Sequence, residues 1–413
     1  MQPLSIAIAG CGISGLASAL LLSRAGHRVC LYERFAAPQP VGSGLMIQPT
    51  GMAVLAELGL AESMTAKGAP VTGLLGLNRE GEPVLEAAYS DLPRASVFGL
   101  GIHRADLFGI LYEAVLAERI PIETGFAVSQ FAEEAGGAVL IDEQGRRSAS
   151  RDLVVDALGL RSPLVPPVNA LLPFGALWAN VELPKGAPFC GDLLEQRYER
   201  ALRMVGVLPV GVGRAAFFWS LTADEYAAWQ AGGMARWWDE VEQLWPQCCA
   251  FRQQLREADQ LVFARYAHRT SRQSPSERLV HLGDAWHAAS PQLGQGANMA
   301  LLDAYALVLA LKAQDLAASK ARFLALRQWH VRLYQALTWA FTPPFQSAAA
   351  WPAILRDLLL APASRVGPGP RMKAHLVAGL AGDPLTRLGL AMPDYLVLAA
   401  SSTASRASAV DQS

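Results

Sequence analysis

An α/β fold is what this sequence predicts, with a parallel strand–helix–strand unit at its start, a β-rich middle and a helical close. Three observations predict it. The first residues run strand, helix, strand around a glycine-rich turn. Short apolar runs broken by polar turns fill residues 126–155 and 174–220. Beyond residue 299 the apolar positions recur at helical spacing.

Leu4 to Ala9 is an apolar, partly β-branched run and reads as a buried strand. Gly10 to Gly15 makes the turn, and Ile13 to Ala25 carries Leu16, Ala19, Leu20 and Leu22 on a helix that Gly26 ends. Arg28 to Glu33 is the second strand. Pro38, Pro40, Gly42 and Gly44 form a breaker-rich loop, and Pro49 to Leu58 resumes as helix. Val71 to Leu77 and Pro83 to Tyr89 read as a hairpin, and Arg104 to Glu118 as a helix. Pro163, Pro166, Pro167 and Pro173 mark a boundary. Strands follow at Gly175 to Leu183, Leu202 to Pro209 and Arg214 to Ser220, then Trp-rich helices from Asp224 to Arg256. A strand at Leu279 to Leu282 leads through a second glycine turn into one long helical stretch, Met299 to Trp339. A Ser/Ala-rich tail that frays closes the chain.

Composition narrows the function. The chain has 413 residues, 52% hydrophobic and 17% charged, so it buries a large core and is not disordered. Its net charge of -1 creates no field for nucleic acid. Five cysteines without a C-x-x-C pair, and histidines without H-x-x-x-H spacing, argue against a disulfide scaffold and a metal site. No apolar run reaches the roughly 20 residues of a spanning helix, and the start lacks a basic leader. A soluble, cytoplasmic protein is expected.

Gly10-Cys11-Gly12-Ile13-Ser14-Gly15 fits G-x-G-x-x-G directly after a strand and at the opening of a helix. Gly10 allows the tight turn, Gly12 lets the backbone approach a diphosphate, and Gly15 lets helix and strand pack closely. Backbone N–H groups of Ile13 and Ser14 then face the phosphates. Glu33, at the end of the second strand, suits a ribose, and Arg34 beside it suits either adenosine or a 2′-phosphate. This is a Rossmann-type unit, and phosphate geometry alone does not separate FAD from NAD.

Residues 282–300, Leu-Gly-Asp-Ala-Trp-His-Ala-Ala-Ser-Pro-Gln-Leu-Gly-Gln-Gly-Ala-Asn-Met-Ala, closely resemble the C-terminal flavin motif of class A FAD-dependent monooxygenases, the para-hydroxybenzoate hydroxylase-like aromatic-ring hydroxylases. Gly101 to Leu107 resembles that family's Arg-bearing helix start, and Gly44 to Pro49 its loop around the isoalloxazine. The resemblance spans residues 4–345, strongly in these segments and weakly from Phe174 to Ser276. It implies a glutathione-reductase-like FAD domain with an inserted β-sheet substrate domain and a helical C-terminal region. The FAD domain takes residues 1–70, 95–165 and 279–345, the substrate domain 71–94 and 166–278, and the helical region 346–413. It implies FAD contacts at Arg104, Val128, Asp284, Pro291, Gly294, Gly296, Ala297 and Asn298, besides the first turn. It further implies NADPH or NADH as electron donor, O2 as co-substrate, and hydroxylation of a small aromatic or polycyclic molecule through a flavin C4a-hydroperoxide. The residues agree: Gly294 and Gly296 permit close backbone approach, and the helix from Asn298 aims its positive end at the turn. His287 reads as a packed or capping side chain.

One segment departs from the pattern. Asp156-Ala157-Leu158-Gly159-Leu160-Arg161-Ser162 stands where the family carries G-A-D-G-x-x-S, with Leu158 in place of Asp. Leucine presents neither charge nor acceptor. Either Asp156 substitutes in part, or electrons arrive from an external flavin reductase. No catalytic side chain is assigned. Trp237-Trp238 and Trp245-Pro246 do not make the halogenase W-x-W-x-I-P stretch. The competing readings are an externally reduced or halogenase-like oxygenase and a non-catalytic FAD-binding subunit. A membrane-facing role for the apolar tail is set below a helical cap on the flavin unit.

Overall fold

The computed structural model describes residues 2–37, 43–167, 171–184 and 186–410, with side chains to 402. Pro38, Pro40 and Gly42 of the expected loop lie outside the described residues.

The opening unit folds as its apolar runs require. Ser5–Ala9 lies at the centre of a five-stranded parallel sheet, flanked by Arg28–Tyr32 and Leu153–Asp156, with Ile122–Glu123 and Leu279–His281 at the edges. Ile6 and Ile8 on one face and Ala7 and Ala9 on the other are all buried, as expected of a strand covered on both sides. On one face the helices Ile13–Arg24 and Gly296–Ala310 pack through Leu16, Leu20, Leu301 and Leu302. On the other lies the hairpin Val128–Glu134/Gly137–Asp142, through Val128, Ala138 and Leu140.

The second sheet has seven strands in the order Val262–Ala267, Leu171–Glu182, Arg214–Thr222, Arg203–Gly211, Leu193–Glu199, Gly73–Asn78, Pro83–Ala88. Alternation splits its side chains between two layers. Phe217, Trp219, Val205 and Val207 face the helix Ala223–Leu244 and its Trp237 and Trp238. Phe218, Met204, Leu208 and Tyr198 face Met46 and Phe345 of the flanking parts. Thr222 starts that helix with a capping box, its N–H donating to Glu225 Oε2 at 2.8 Å. A three-stranded patch joins the two sheets: Gly44–Ile47 and Ala69–Val71 both pair with Gly99–His103.

Three readings need correction. The helical stretch from Met299 to Trp339 is two helices, Gly296–Ala310 and Leu316–Phe345, because the Asp315 side chain caps a new start by accepting from Ala318 N–H at 2.8 Å. Gly44 belongs to a strand rather than a loop. Several strands escaped the sequence, among them Leu193–Glu199, polar along half its length, Val262–Ala267, an edge strand with exposed positions, and the short Gly99–His103 and Ile122–Glu123. The C-terminal region is helical, closing with Tyr395–Val410. Among the described residues no helix is long and apolar enough to cross a membrane.

Candidate functional site: two glycine turns at one cleft

The first turn follows the strand Ser5–Ala9. Gly10 has φ +101°, and a β-carbon there would lie 2.7 Å from the Ala157 carbonyl oxygen. A β-carbon on Gly15 would lie 1.9 Å from the Gly10 oxygen, so helix and strand meet backbone to backbone. Gly12 is different: it is exposed, and nothing stands within 4 Å of its would-be β-carbon. No side chain caps the helix Ile13–Arg24, which leaves its first N–H groups and positive dipole end open. Glu33 closes the turn from the neighbouring strand, accepting from Cys11 N–H at 3.0 Å and Phe35 N–H at 3.1 Å.

The second turn begins at Gly283, whose would-be β-carbon lies 3.2 Å from Ala300 Cβ and 3.5 Å from Ser14 Oγ. The two motifs therefore share one cleft. Asp284 is exposed there, its Oδ1 4.0 Å from the would-be β-carbon of Gly296. Pro291 and Gly296 are exposed and Ala297 half-buried, while Gly294 turns the chain with φ +60°. The helix Gly296–Ala310 also lacks a side-chain cap, so a second positive end opens onto the same cleft.

A buried polar network fixes this turn. Asp303 accepts from Gly283 N–H at 2.9 Å, from His287 Nε2 at 2.6 Å and from Arg327 Nε at 2.7 Å. Burial pushes the Asp303 carboxyl up, but the facing His287 and Arg327 outweigh it and hold its pKa at about 2. Arg327 Nη1 donates to His330 Nδ1 at 3.0 Å, so the His330 Nε2 proton goes to Gly379 O at 3.2 Å. Burial and the adjacent Arg327 charge lower the His330 pKa to about 3 and keep the ring neutral. His287 is thus a packed, hydrogen-bonded side chain, as its place in the sequence suggested.

Asn298 is fully buried. Its Nδ2 donates to Met46 O at 3.2 Å and Gly294 O at 3.0 Å, and its Oδ1 accepts from Gln48 N–H at 2.8 Å. Its side chain therefore ties the Gly44–Ile47 strand to the second turn. Val128 is a buried side chain beside Ala9, Tyr32 and Phe126. Arg34 is exposed, its guanidinium 4.5 Å above the Phe35 ring. Arg104 is exposed and opens the helix Arg104–Ala117, its N–H donating to Ser43 O at 3.0 Å.

Asp156 turns inward. Its carboxylate accepts from Leu158 N–H at 3.1 Å, Ser162 Oγ at 2.7 Å and His281 Nδ1 at 2.8 Å, and the residue is fully buried. Leu158 packs beside Gly10, its Cα 3.3 Å from that glycine's would-be β-carbon. The sequence also left out Arg269, a buried cation whose pKa burial lowers against the opposing charges of Asp156 and Asp284. No spacing rule flags it, because it comes from the segment between the sheets. Tyr198, Arg203 and Arg214 on the second sheet and Tyr226 on its helix all have protein partners: Gln196, Glu225, Asp106 and the Phe263 ring.

The cradle fits a dinucleotide: two open glycines, two helix starts with no side-chain cap among the described residues, and one exposed acid lie together. Comparison with known proteins says which. Residues 4–324 match the FAD binding domain family. The chain is 28% identical over 341 residues to the aurachin C monooxygenase/isomerase of Stigmatella aurantiaca, covering 78% of this chain and 85% of that one. It is 28% identical over 343 residues to the FAD-dependent urate hydroxylase of Klebsiella pneumoniae, covering 79% and 86%. A variant of 2-methyl-3-hydroxypyridine-5-carboxylic acid oxygenase superposes with a TM-score of 0.76 at 17% identity, covering 94% of this chain and 98% of that one. Klebsiella pneumoniae HpxO complexed with FAD and uric acid does so with 0.71 at 21%, covering 90% and 97%. With most of its length matched, and with both glycine turns inside the matched region, the chain belongs to the FAD binding domain family and is a FAD-dependent monooxygenase of the class A, aromatic-hydroxylase-like kind.

Proposed function

We propose that this protein hydroxylates a small planar aromatic or heteroaromatic molecule in the cytoplasm, with O2 as co-substrate and NADH or NADPH as electron donor. One observation carries the reading: the open Gly12 turn and the exposed Asp284 and Gly296 come together at one cleft, and Asn298 beside it holds the carbonyl of Met46, which packs in the apolar cluster of the seven-stranded sheet. Bound FAD supplies electron transfer and oxygen activation.

The chain's own residues do the rest. Backbone N–H groups of Gly12, Ile13, Ser14 and Gly15 hold the diphosphate, Glu33 and Arg34 take the adenosine end with Val128 beside it, and Arg104 and Asp284 hold the middle. Pro291, Gly294, Gly296, Ala297 and Asn298 line the ring end, where the Gly296–Ala310 helix start favours negative charge. Phe218, Met204, Leu208 and Trp178 offer an apolar surface that excludes water. In this division residues 1–70, 95–165 and 279–345 form the FAD domain, 71–94 and 166–278 the substrate domain, and 346–413 a helical cap.

A second reading concerns the electrons. Leu158 is apolar beside the first turn, and Asp156 spends its carboxylate inside the protein. These favour a contribution from an external flavin reductase. The deciding experiment mixes the purified yellow protein with NADH or NADPH without oxygen, in the presence of an aromatic panel, and follows flavin bleaching. Rapid bleaching by either nucleotide, then substrate-dependent O2 uptake, supports the first reading. Bleaching only with a reductase supports the second, and FAD without O2 uptake from any electron source sinks both.

A further inference from the structure

Beyond the cofactor cleft, Gln346, which ends the Leu316–Phe345 helix, and Arg356 of the following Arg356–Leu360 turn are two buried side chains left short of partners among the described residues. Gln346 is 4% exposed, and neither its Oε1 nor its Nε2 has a hydrogen-bond partner among the described residues. Arg356 is 1% exposed. Its Nε donates to Asp357 Oδ1 at 2.7 Å and its Nη1 to Pro344 O and Arg200 O, both at 3.0 Å, but its Nη2 has no acceptor there. Through Pro344 the guanidinium lies against the segment that presents Gln346. Dry, unpaired donors and acceptors in a folded interior are rare because each forfeits its hydration.

Their position relates them to the proposed site. Gln346 N–H donates to Thr342 O at 2.7 Å, and the Thr342 and Ser290 hydroxyls lie 3.0 Å apart. Ser290 precedes Pro291, so Gln346 sits about one helical turn from the second glycine loop. The Arg356 Cζ lies 5.2 Å from the ring centres of both Tyr198 and Phe345. Those rings belong to the same apolar cluster as Met46, whose carbonyl Asn298 holds. A cation and an amide thus stand beside one end of that apolar cluster.

We propose that Gln346 and Arg356 are specificity-determining residues that bind an aromatic substrate carrying an anionic oxygen next to an N–H. Arg356 Nη2 and Gln346 Nε2 donate to the oxygen, and Gln346 Oε1 accepts from the N–H. The proposal rests on the reading of the neighbouring cleft as a FAD and substrate site.

The test titrates FAD-loaded protein with 2-aminobenzoate, with benzoate and aniline as controls, and reads the perturbation of the flavin absorbance. The parent protein binds 2-aminobenzoate more tightly than either control. Gln346→Leu removes an amide with no partner among the described residues, so it raises Tm while weakening 2-aminobenzoate about tenfold and sparing aniline. Arg356→Lys keeps the charge but loses the fork, and weakens 2-aminobenzoate and benzoate together. If Gln346→Leu raises Tm yet leaves 2-aminobenzoate affinity intact, the pair is structural and the proposal falls. It falls equally if the parent shows no preference for the anion. A chain that purifies without FAD instead removes the underlying reading of the cleft, which absorbance at purification reports separately.

Discussion

A β-carbon on Gly283 would stand 3.5 Å from the Ser14 hydroxyl oxygen, so the two glycine turns press against each other although most of the chain separates them. That packing is made by two helices, Ile13–Arg24 and Gly296–Ala310, which lie together on one face of the parallel sheet with both N-termini uncapped. Two partial positive charges of the same sign at one cleft repel each other until something negative joins them. On the proposed placement of the cofactor, a diphosphate between the two helix ends would relieve that repulsion.

Within the first turn, two glycines one helical turn apart respond to alanine in opposite ways. Gly15→Ala puts a methyl 1.9 Å from the Gly10 oxygen, which forces strand and helix apart and costs about 1–3 kcal/mol or more. Gly12→Ala meets no protein atom within 4 Å, so the cofactor-free protein folds with stability changed by about 0.5 kcal/mol or less. On the proposed diphosphate placement the added methyl fills space the ligand needs, and FAD retention is expected to drop about tenfold or more. Thermal melts and flavin content of both variants check this. Equal loss of stability in the two would show that the open space at Gly12 has no ligand to serve.

Asp284 and Asp303 separate in the same fashion. Asp284 is exposed at the cleft, and its replacement by Ala leaves the melt of the cofactor-free protein unchanged while weakening FAD about tenfold, the worth of a hydrogen bond to a charged group. Asp303 is fully buried and holds Gly283 N–H, His287 and Arg327. Asp303→Ala strands a buried guanidinium and costs about 3–5 kcal/mol, so the variant unfolds early with or without flavin. A heat-stable Asp303→Ala protein would remove the network from the account of the second turn.

How much of this was legible in the chain follows from the reach of each interaction. The first turn was readable because strand, glycines and helix are contiguous, so local sterics dictate them. Asp284, Pro291 and Gly296 were readable through resemblance, since nothing within residues 282–300 reveals that Ser14 stands beside Gly283. The Asn298 side chain illustrates the limit. Its residue type fits a ligand contact, yet its partners Met46 and Gln48 come from a strand and its exit that the sequence presented, by resemblance, as a loop around the isoalloxazine. Leu193–Glu199 was invisible for a different reason: Glu195, Gln196, Arg197 and Glu199 hide its strand pattern, although it forms a local hairpin with Arg203–Gly211 besides its parallel pairing with Gly73–Asn78. Arg269, Gln346 and Arg356 gain meaning only from burial, which a single sequence does not state.

Asn298 yields its own prediction. Asn298→Asp is isosteric but exchanges two donors for a carboxylate facing the Met46 and Gly294 carbonyls, fully buried and without a counter-charge at those bonds. The expected cost is about 3 kcal/mol, read as a fall in Tm of the cofactor-free protein. Because the side chain anchors the Gly44–Ile47 strand, protease cleavage near that strand also quickens. If cofactor-free Asn298→Asp melts with the parent and only FAD binding suffers, Asn298 acts on the ligand directly and its tethering role is wrong.

His330 gives the pH dependence. Burial and Arg327 lower its folded pKa to about 3, against about 6.5 for a free histidine. Between those values the unfolded chain binds a proton that the folded one refuses, so stability is complete above about pH 6.5. It falls as the medium is acidified, by about 1.4 kcal/mol per pH unit for this one group. Asp303, held at about 2, adds a loss of the same sign only below about pH 4, where the unfolded carboxylate takes up its proton first. His330→Gln can keep one acceptor for Arg327 Nη1 and one donor for Gly379 O without titrating. Denaturant unfolding at pH 7, 6 and 5 therefore shows a shallower acid slope in His330→Gln than in the parent, by about one proton. The two slopes would coincide if the ring titrated in the folded protein as it does in water, and the neutral, Arg327-bonded form of His330 would then be refuted.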